Sequence, residues 1–480
     1  MREAEDVRAI LRDRGPRPSG PRRFPPGFIW GAGTSAYQVE GAIDEDGRGV
    51  SIWDTLCARP GAIANGDTGA VAADQYHRYR EDAALMAELR LATYRFSIAW
   101  PRIQPDGRGP VNERGLDHYR RVVDALLERG IAPNVTLYHW DLPQALEDAG
   151  GWSSRETALR FADYAATVYR ALHDRVGWWA TLNEPWCSAF LGYATGEHAP
   201  GVRDPRRAVA AIHHLNLAHG LAIRAMRPID AGPRLGIVLN PAPIRTKDGT
   251  PPATETLRDG IRIVDGIRNR VWLDPLLEGR YPADIAADVA ALGGFPIADG
   301  DLATIAAPID WLGVNYYHDD TLGDLPPGTS AAAGAAIHPG TAGIAWDPPD
   351  GPRTDQGWII TPDGLRALLV SIGRDHPGAP PLIVSENGAA YDDPIGPDGR
   401  IRDERRTAYL AAHLDSVHRA IEEGADVRGY IAWSLLDNFE WAWGYAMRFG
   451  IVHVDYATQR RTPRDSALWL RDVIAANALP

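Results

Sequence analysis

Eight short apolar runs recur along this chain, and a helical pattern separates each run from the next. Strands that alternate with helices form parallel sheets, because a crossover must return the chain before the next strand can begin. Eight such units predict an α/β fold, a single-domain (β/α)8 TIM barrel with long βα loops. The predicted strands are Phe28–Ala32, Thr93–Trp100, Ala132–Trp140, Trp178–Leu182, Arg234–Leu239, Ile309–Tyr317, Leu382–Ser385 and Val427–Leu435.

Two connections and the N-terminal segment depart from this rhythm. Pro241–Thr256 and Asp319–Pro352 are rich in Pro, Gly and Ala, and both follow strands, so we expect them on the catalytic face of a barrel. We also expect the second connection to be mobile. Residues 1–23 are predicted to form a flexible N-terminal arm, helical up to Leu11, and residues 24–480 to form one catalytic domain.

Composition excludes several classes of partner. The formal net charge of −13 argues against nucleic acid, and the chain has no run of about 18 apolar residues for a membrane span. The N-terminus lacks the apolar segment of a secretory signal. Cys57 and Cys187 are too few for a disulfide framework, so we expect a reduced, cytoplasmic setting with Cys187 as a small core residue. The sequence leaves the oligomeric state open.

Two carboxylates stand at the ends of two predicted strands. Asn183 and Glu184 end the fourth run, and Pro185 stops the strand because proline fixes its own backbone angle and has no N–H to donate. Glu386 ends the seventh run, just before Asn387 and Gly388. Strand ends of a barrel hold its active site, and a pair of carboxyl groups is what hydrolysis of a glycosidic bond needs. The sequence therefore predicts a glycosidase.

Polar and aromatic residues gather at most of the other strand ends. A cation such as Arg95 would favour the charged form of a nearby carboxylate, here Glu386. The same strand ends carry Gln38, Glu40, His139, Trp140, Asn315, Tyr316, Tyr317, Trp433, Glu440 and Trp441.

From Phe24 to its C-terminus the chain resembles the glycoside hydrolase family 1 β-glucosidases. The motifs that carry the resemblance are Phe28–Gly41, Tyr94–Arg102, Thr181–Pro185, Ser385–Gly388 and Trp433–Trp441. The resemblance implies a (β/α)8 barrel and hydrolysis with net retention at the anomeric carbon. By the Asn-Glu-Pro motif it implies that Glu184 is the acid/base, and by the Glu-Asn-Gly motif that Glu386 is the nucleophile.

The same resemblance implies which residues contact the substrate, expected to be a small β-glycoside or a cello-oligosaccharide. Trp186 and Trp358 resemble aromatic platforms for the aglycone, and Asn315 and Tyr317 lie near the catalytic carboxylates. The residues that match the glycone subsite are Gln38, His139, Asn183, Trp433, Glu440 and Trp441, and Trp140 is also expected to contact the substrate.

Particular residues argue against several alternative functions. Relatives that cleave 6-phosphorylated glycosides carry serine and lysine where this chain has Glu440, and myrosinases have glutamine where it has Glu184. A non-catalytic sugar-binding barrel would have lost a catalytic carboxylate. The sequence does not separate glucosidase from galactosidase or fucosidase activity. We expect no cofactor and no metal, because His213, His214 and His219 fit no metal-binding pattern.

Overall fold

Eight parallel strands close into a barrel in the computed structural model, which describes residues 2–12, 20–325 and 341–480. Each strand pairs in parallel with its neighbours in the sequence, and the eighth closes onto the first. The predicted fold is confirmed. The barrel strands, numbered in chain order, are β1 (Ile29–Gly33), β2 (Thr93–Ser97), β3 (Ala132–Tyr138), β4 (Trp178–Asn183), β5 (Arg234–Leu239), β6 (Trp311–Asn315), β7 (Leu382–Asn387) and β8 (Val427–Trp433).

Helices surround the barrel, and none of those described is both long and apolar enough to cross a bilayer. The α-helices are Arg2–Arg12, Ala36–Val39, Ile52–Cys57, Gln75–Glu88, Trp100–Ile103, Glu113–Leu127, Gln144–Asp148, Arg155–Leu172, Pro205–Met226, Glu255–Asp265, Val271–Glu278, Ala283–Asp288, Asp301–Ile305, Pro362–Asp375, Glu404–Glu422 and Asp465–Ala476. Shorter 3-10 turns are Ala64–Gly66, Gly151–Ser153, Ala290–Leu292 and Trp441–Trp443, and π-helical segments are Cys187–Thr195 and Gly266–Arg270.

The apolar core has an outer and an inner part. The outer part joins the strands to the helices that cover them, and it includes the buried rings of Trp100, Trp179 and Trp272. The inner part is a small cluster of one residue from each of β4 to β8, which can meet only inside the barrel. Its members are Ala180, Val238, Trp311, Ile383 and Ile431.

Register shifts occur in the two strands that lead to the predicted catalytic carboxylates. The pairing of β4 with β5 shifts between Ala180 and Asn183, and the pairing of β7 with β6 shifts between Val384 and Glu386. A bulge inserts an extra residue and changes which way the following side chains point. These shifts set the direction of the side chains at the carboxyl ends of both strands.

The N-terminal segment contacts the barrel where it is described. The expected helix is present as Arg2–Arg12, and it packs on Glu404–Glu422 with Ile10 buried. Arg22–Arg23 pairs antiparallel with Ala478–Leu479 near the other end of the chain. The described part of this segment therefore packs on the barrel, and the flexibility expected of the arm stays a prediction. The division at residue 23 stays a prediction.

Both long connections contain strands that the sequence did not predict. Ile244–Arg245, Asp320–Asp324 and Ile344–Trp346 form a three-stranded sheet beside the barrel. Leu322 and Ile344 are buried, packed with Leu257 and Val264 in a small apolar cluster, which gives this sheet a core of its own. The mobility expected for Asp319–Pro352 concerns in part residues 326–340, which lie outside the described residues.

Candidate active site

A cavity of about 330 Å³ opens at the carboxyl ends of the barrel strands, with Glu184 and Glu386 in its wall. Both carboxylates are buried. Most of the other predicted site residues line the same cavity: His139, Trp140, Trp186, Asn315, Tyr317, Trp358, Trp433, Glu440 and Trp441. Gln38, Asn183 and Arg95 are also buried and bond to residues of the wall. The fold thus gathers residues from almost the whole length of the chain.

Glu386 accepts a hydrogen bond at each carboxylate oxygen. Arg95 donates from Nη1 to Oε1 over 2.6 Å, and the Tyr317 hydroxyl donates to Oε2 over 2.8 Å. Burial raises the pKa of Glu386 to about 7, and the Glu184 carboxyl adds to the rise, whereas Arg95 and Tyr317 lower it. The two donors hold the Glu386 carboxylate in one orientation, and the Arg95 guanidinium compensates its negative charge.

Glu184 is also held at both oxygens, but by neutral partners. Asn315 donates from Nδ2 to Oε1 over 2.7 Å, and the Cys187 thiol donates to Oε2 over 3.0 Å. The Glu184 backbone has a φ of 44°, in the left-handed region, and its N–H donates to the Val238 carbonyl on β5. Cys187 is buried in the main apolar core, as expected, but its contact with this carboxylate was not predicted.

The amide side chains between the two carboxylates have a single possible orientation. Arg95 donates from Nη2 to Asn183 Oδ1 over 2.6 Å, and a guanidinium can only donate. Asn315 therefore presents its NH₂ group to that same oxygen, at 3.1 Å, and to Glu184. Its own Oδ1 accepts from the Ser385 hydroxyl. One cation thus fixes the hydrogen-bond pattern around both carboxylates.

A third carboxyl group, Glu440, lies on the same cavity. Gln38 donates from Nε2 to its Oε2 over 3.3 Å, and the Ser35 hydroxyl donates to the other end of the Gln38 amide. Burial raises the pKa of Glu440 to about 8, and Glu386 and Glu184 add to the rise. Glu440 therefore has hydrogen-bonding capacity facing the cavity, and none of the described residues forms an ion pair with it.

Flat rings line the inner part of the cavity. His139 lies between Trp433 and Trp441, with interplanar angles of 16° and 17° and ring centroids 5.7 and 5.9 Å away. Burial, and then Arg95, hold the pKa of His139 well below its ordinary value, so the ring is neutral. Trp140 and Trp441 have φ values of 78° and 50°, so their backbones lie in the left-handed region, like that of Glu184. Left-handed backbone in bulky residues is strained and is typical of functional sites.

The outer part of the cavity is aromatic and more open. The Trp186 ring packs under the Arg268 guanidinium at 3.9 Å, and Trp358 packs against Tyr317. Two further tryptophans on the cavity wall are largely exposed, Trp443 at 44% and Trp346 at 54%. Neither ring was among the site residues predicted from the sequence. Trp443 could have been found, because it lies two residues after Trp441, but nothing in the sequence around Trp346 points to the site.

The histidines set aside as structural have protein partners. His213 contacts Tyr281 and Asp301, His214 contacts the Trp152 carbonyl, and His219 contacts the Thr181 hydroxyl. In the described ranges, three other side chains have possible metal-ligand atoms within 4.8 Å of one another, and none of these side chains lines the cavity. They are Asp274, Glu278 and His376.

The chain is similar in sequence and in fold to known proteins. The sequence pattern of the family described as "Glycosyl hydrolase family 1" matches residues 21–479. The chain is 52% identical over 463 residues to the thermostable beta-glucosidase B of Thermobispora bispora, covering 96% of this chain and 92% of that protein. It is 49% identical over 465 residues to the bifunctional beta-D-glucosidase/beta-D-fucosidase of Bifidobacterium breve, and the match covers 94% of this chain and 98% of that protein. The crystal structure of the psychrophilic beta-glucosidase of Micrococcus antarcticus matches with a TM-score of 0.90 and 48% identity, and the match covers 95% of this chain and 98% of that protein.

Proposed function

This chain belongs to glycosyl hydrolase family 1, and from that premise we propose that Glu386 is the nucleophile and Glu184 the acid/base of a retaining β-glucosidase. The observation that carries the assignment is the difference between the two carboxylates. Glu386 is bonded by a guanidinium and a phenol, whereas Glu184 is bonded by an amide and a thiol. The carboxylate beside the cation is the one that can stay ionised when it must attack.

The first step places a negative and a neutral carboxyl group on either side of the scissile bond. Two buried carboxylates in one cavity repel, so the pair holds one proton over the working pH range. Glu386 attacks the anomeric carbon, and Glu184 gives its proton to the departing oxygen. This produces a covalent glycosyl-enzyme and a neutral aglycone.

In the second step Glu184 acts as a base, whereas in the first step it acts as an acid. Once Glu386 is esterified, its negative charge is gone, and Glu184 can remain ionised and accept a proton from water. That water attacks the anomeric carbon and releases glucose with the configuration of the substrate. Asn315 stays bonded to Glu184 through both steps, because Arg95 and Asn183 fix the orientation of its amide.

Trapping of the intermediate tests the assignment. A 2-deoxy-2-fluoro-β-glucoside with a good leaving group slows the second step and should leave a sugar covalently attached to the peptide that contains Glu386. The Glu386→Gln variant should remain unlabelled, and the Glu184→Gln variant should still be labelled. A label on any other carboxylate, or release of α-glucose as the first product of the wild-type enzyme, would contradict the proposal.

A second activity, on β-D-fucosides, has one observation in its favour. The relative from Bifidobacterium breve, 49% identical, is named for both activities. Fucose has the galactose configuration at C4 and lacks the hydroxyl group at C6, so it tests the polar groups around Gln38 and Glu440. The ratio of kcat/KM for nitrophenyl β-glucoside to that for nitrophenyl β-fucoside and β-galactoside measures this preference directly.

The natural substrates and the cellular setting are further parts of the proposal. Cello-oligosaccharides fit the tryptophans on the outer cavity wall, because aromatic faces pack on the apolar faces of sugar rings. Such a substrate would give the enzyme a part in cellulose degradation. The two cysteines are unpaired, which supports the cytoplasmic setting predicted from the sequence.

A further inference from the structure

Cys187 contacts Glu184 at the oxygen that Asn315 leaves free. Its Sγ lies 3.0 Å from Glu184 Oε2, and Asn240 donates to the sulfur from Nδ2 over 3.5 Å. The thiol is buried, and its backbone N–H donates to the Glu184 carbonyl. Because that turn is closed by a backbone bond, the spacing of the two residues places the sulfur beside the carboxyl group.

The hydrogen-bond pattern determines which oxygen of Glu184 can carry a proton. Oε1 accepts from the Asn315 NH₂ group, and an amide nitrogen cannot accept a hydrogen bond in return. Asn315 cannot be turned over, because Arg95 fixes the Asn183 amide, and that amide fixes Asn315. The carbonyl oxygen of a carboxylic acid accepts more strongly than its hydroxyl oxygen, so this pattern favours Oε1 as the carbonyl oxygen and the acid proton on Oε2, the oxygen beside the thiol.

We propose that Cys187 is a positioning residue for Glu184, which holds the acid proton on Oε2 and stays bonded to that oxygen once the proton has left. This inference rests on the proposed role of Glu184 as acid/base. A thiol can do both because sulfur accepts weakly from a carboxylic O–H, and the S–H group donates weakly to a carboxylate after a rotation. No thiolate forms, since burial and the Glu184 carboxyl raise the pKa of Cys187 well above its ordinary value.

A hydrogen-bond donor at position 187 should set how readily Glu184 gives up its proton. A hydroxyl donates more strongly than a thiol, so Cys187→Ser should stabilise the carboxylate, and Cys187→Ala should leave it short of one donor. The other titratable groups near Glu184 or the thiol are the same in both variants. Among the described residues they include Glu386 on β7, Tyr317 after β6, Glu440 after β8, Arg268 in the segment Gly266–Arg270, and Arg95 on β2.

The pH dependence of kcat/KM is the first measurement, because its basic limb reports the acid of the free enzyme. We expect the limb to move about half a pH unit lower in Cys187→Ser and about half a unit higher in Cys187→Ala. A merely structural role would not move the limb in opposite directions. Cys57→Ala is the matched control, since that thiol contacts the Tyr37 hydroxyl at 3.5 Å and should leave the limb in place.

The dependence on the leaving group is the second measurement. Methyl β-glucoside needs a proton from Glu184 to depart, whereas dinitrophenyl β-glucoside does not. Cys187→Ala should therefore turn over the methyl glucoside several-fold more slowly and form the glycosyl-enzyme from the dinitrophenyl glucoside at the wild-type rate. Melting temperatures of both variants show whether each is folded.

Two results would overturn the inference. One is a basic limb that stays in place, or moves in the same direction, in both variants. The other is an equal loss on the two glucosides. Failure of the proposed function is distinguishable, because then Glu184→Gln itself would retain wild-type turnover of methyl β-glucoside.

Discussion

The Nη1 atom of Arg95 lies 2.6 Å from Oε1 of Glu386, and both side chains are almost fully buried. Removing one partner of a buried ion pair leaves an uncompensated charge, which is strongly unfavourable. At this position the charge that remains would be that of the proposed nucleophile. The ion pair therefore determines the lower end of the pH range in which the enzyme can act.

Arg95→Met should move the acid limb of kcat/KM to higher pH. Arg95 lowers the pKa of Glu386 against the effect of burial, so without the cation Glu386 stays protonated, and unable to attack, up to a higher pH. Activity at the optimum should fall on the order of a hundredfold, which corresponds to about 2.7 kcal/mol. Arg102→Met is the control, because Arg102 is equally buried and pairs with Glu40 at 3.1 Å. It should lower the melting temperature without moving the limb. If the acid limb of kcat/KM stays in place in Arg95→Met, Arg95 does not control the pKa of Glu386.

Glu184→Gln should separate the two chemical steps. Dinitrophenyl β-glucoside needs no proton to depart, so the variant should show a burst of dinitrophenol followed by slow turnover. Azide should restore turnover by attacking the intermediate without a base, and the product should be the β-glucosyl azide. Glu386→Gln should show no burst, and any azide product from it should have the α configuration. A burst and β-azide from Glu386→Gln would exchange the two roles.

Glu440→Gln should make the protein more resistant to alkaline unfolding. The pKa of Glu440 is about 8 in the folded protein and 4.5 ordinarily, so the folded state binds this proton more tightly. Wild-type stability must then fall as the pH rises from 4.5 to 8, and the glutamine variant avoids this loss. We expect the difference in melting temperature, variant minus wild type, to grow across that range by the equivalent of a few kcal/mol.

The matched control for that experiment is the exposed residue Glu88, as Glu88→Gln, for which the difference should stay flat with pH. A flat difference for Glu440→Gln as well would mean that this carboxyl group is not desolvated in the folded protein. The same variant should lose activity on unphosphorylated glucosides at neutral pH, in kcat as well as in KM, because the contacts of Glu440 are proposed to strengthen in the transition state.

Trp443→Ala should weaken binding of long substrates only. The ring lies on the outer cavity wall and is 44% exposed, so it is available to a second or third sugar unit. We expect KM for cellotriose to rise several-fold, on the scale of about 1 kcal/mol, while kcat/KM for nitrophenyl glucoside changes less than twofold. Trp443→Phe keeps a flat face and should recover part of the loss. An equal effect on both substrates would place this ring in the glucose subsite.

The barrel and the two carboxylates were predictable because their signals are local. A strand in this barrel is one apolar run, and a strand end is one change of composition, as at Leu182–Pro185. The thiol of Cys187 could not be assigned, because its partner is chosen by a turn and a π-helical segment that no periodicity reports. The small sheet in the long connections was missed for a related reason. Its strands are only two to five residues long and pair across residues far apart in the sequence.

The hydrogen-bond network that links Arg95, Asn183, Asn315 and Glu184 has a consequence for how such a site can change over generations. Each amide is oriented by the one before it, so a substitution at any member leaves the next without its partner. Residues that share one network show coupling free energies of about 0.5–3 kcal/mol, so the effect of a combined replacement here should differ from the sum of the single effects by that amount. The site is therefore strongly epistatic. Laboratory evolution that altered these positions one at a time would meet inactive intermediates, whereas the outer tryptophans can drift singly and change which glycosides are accepted.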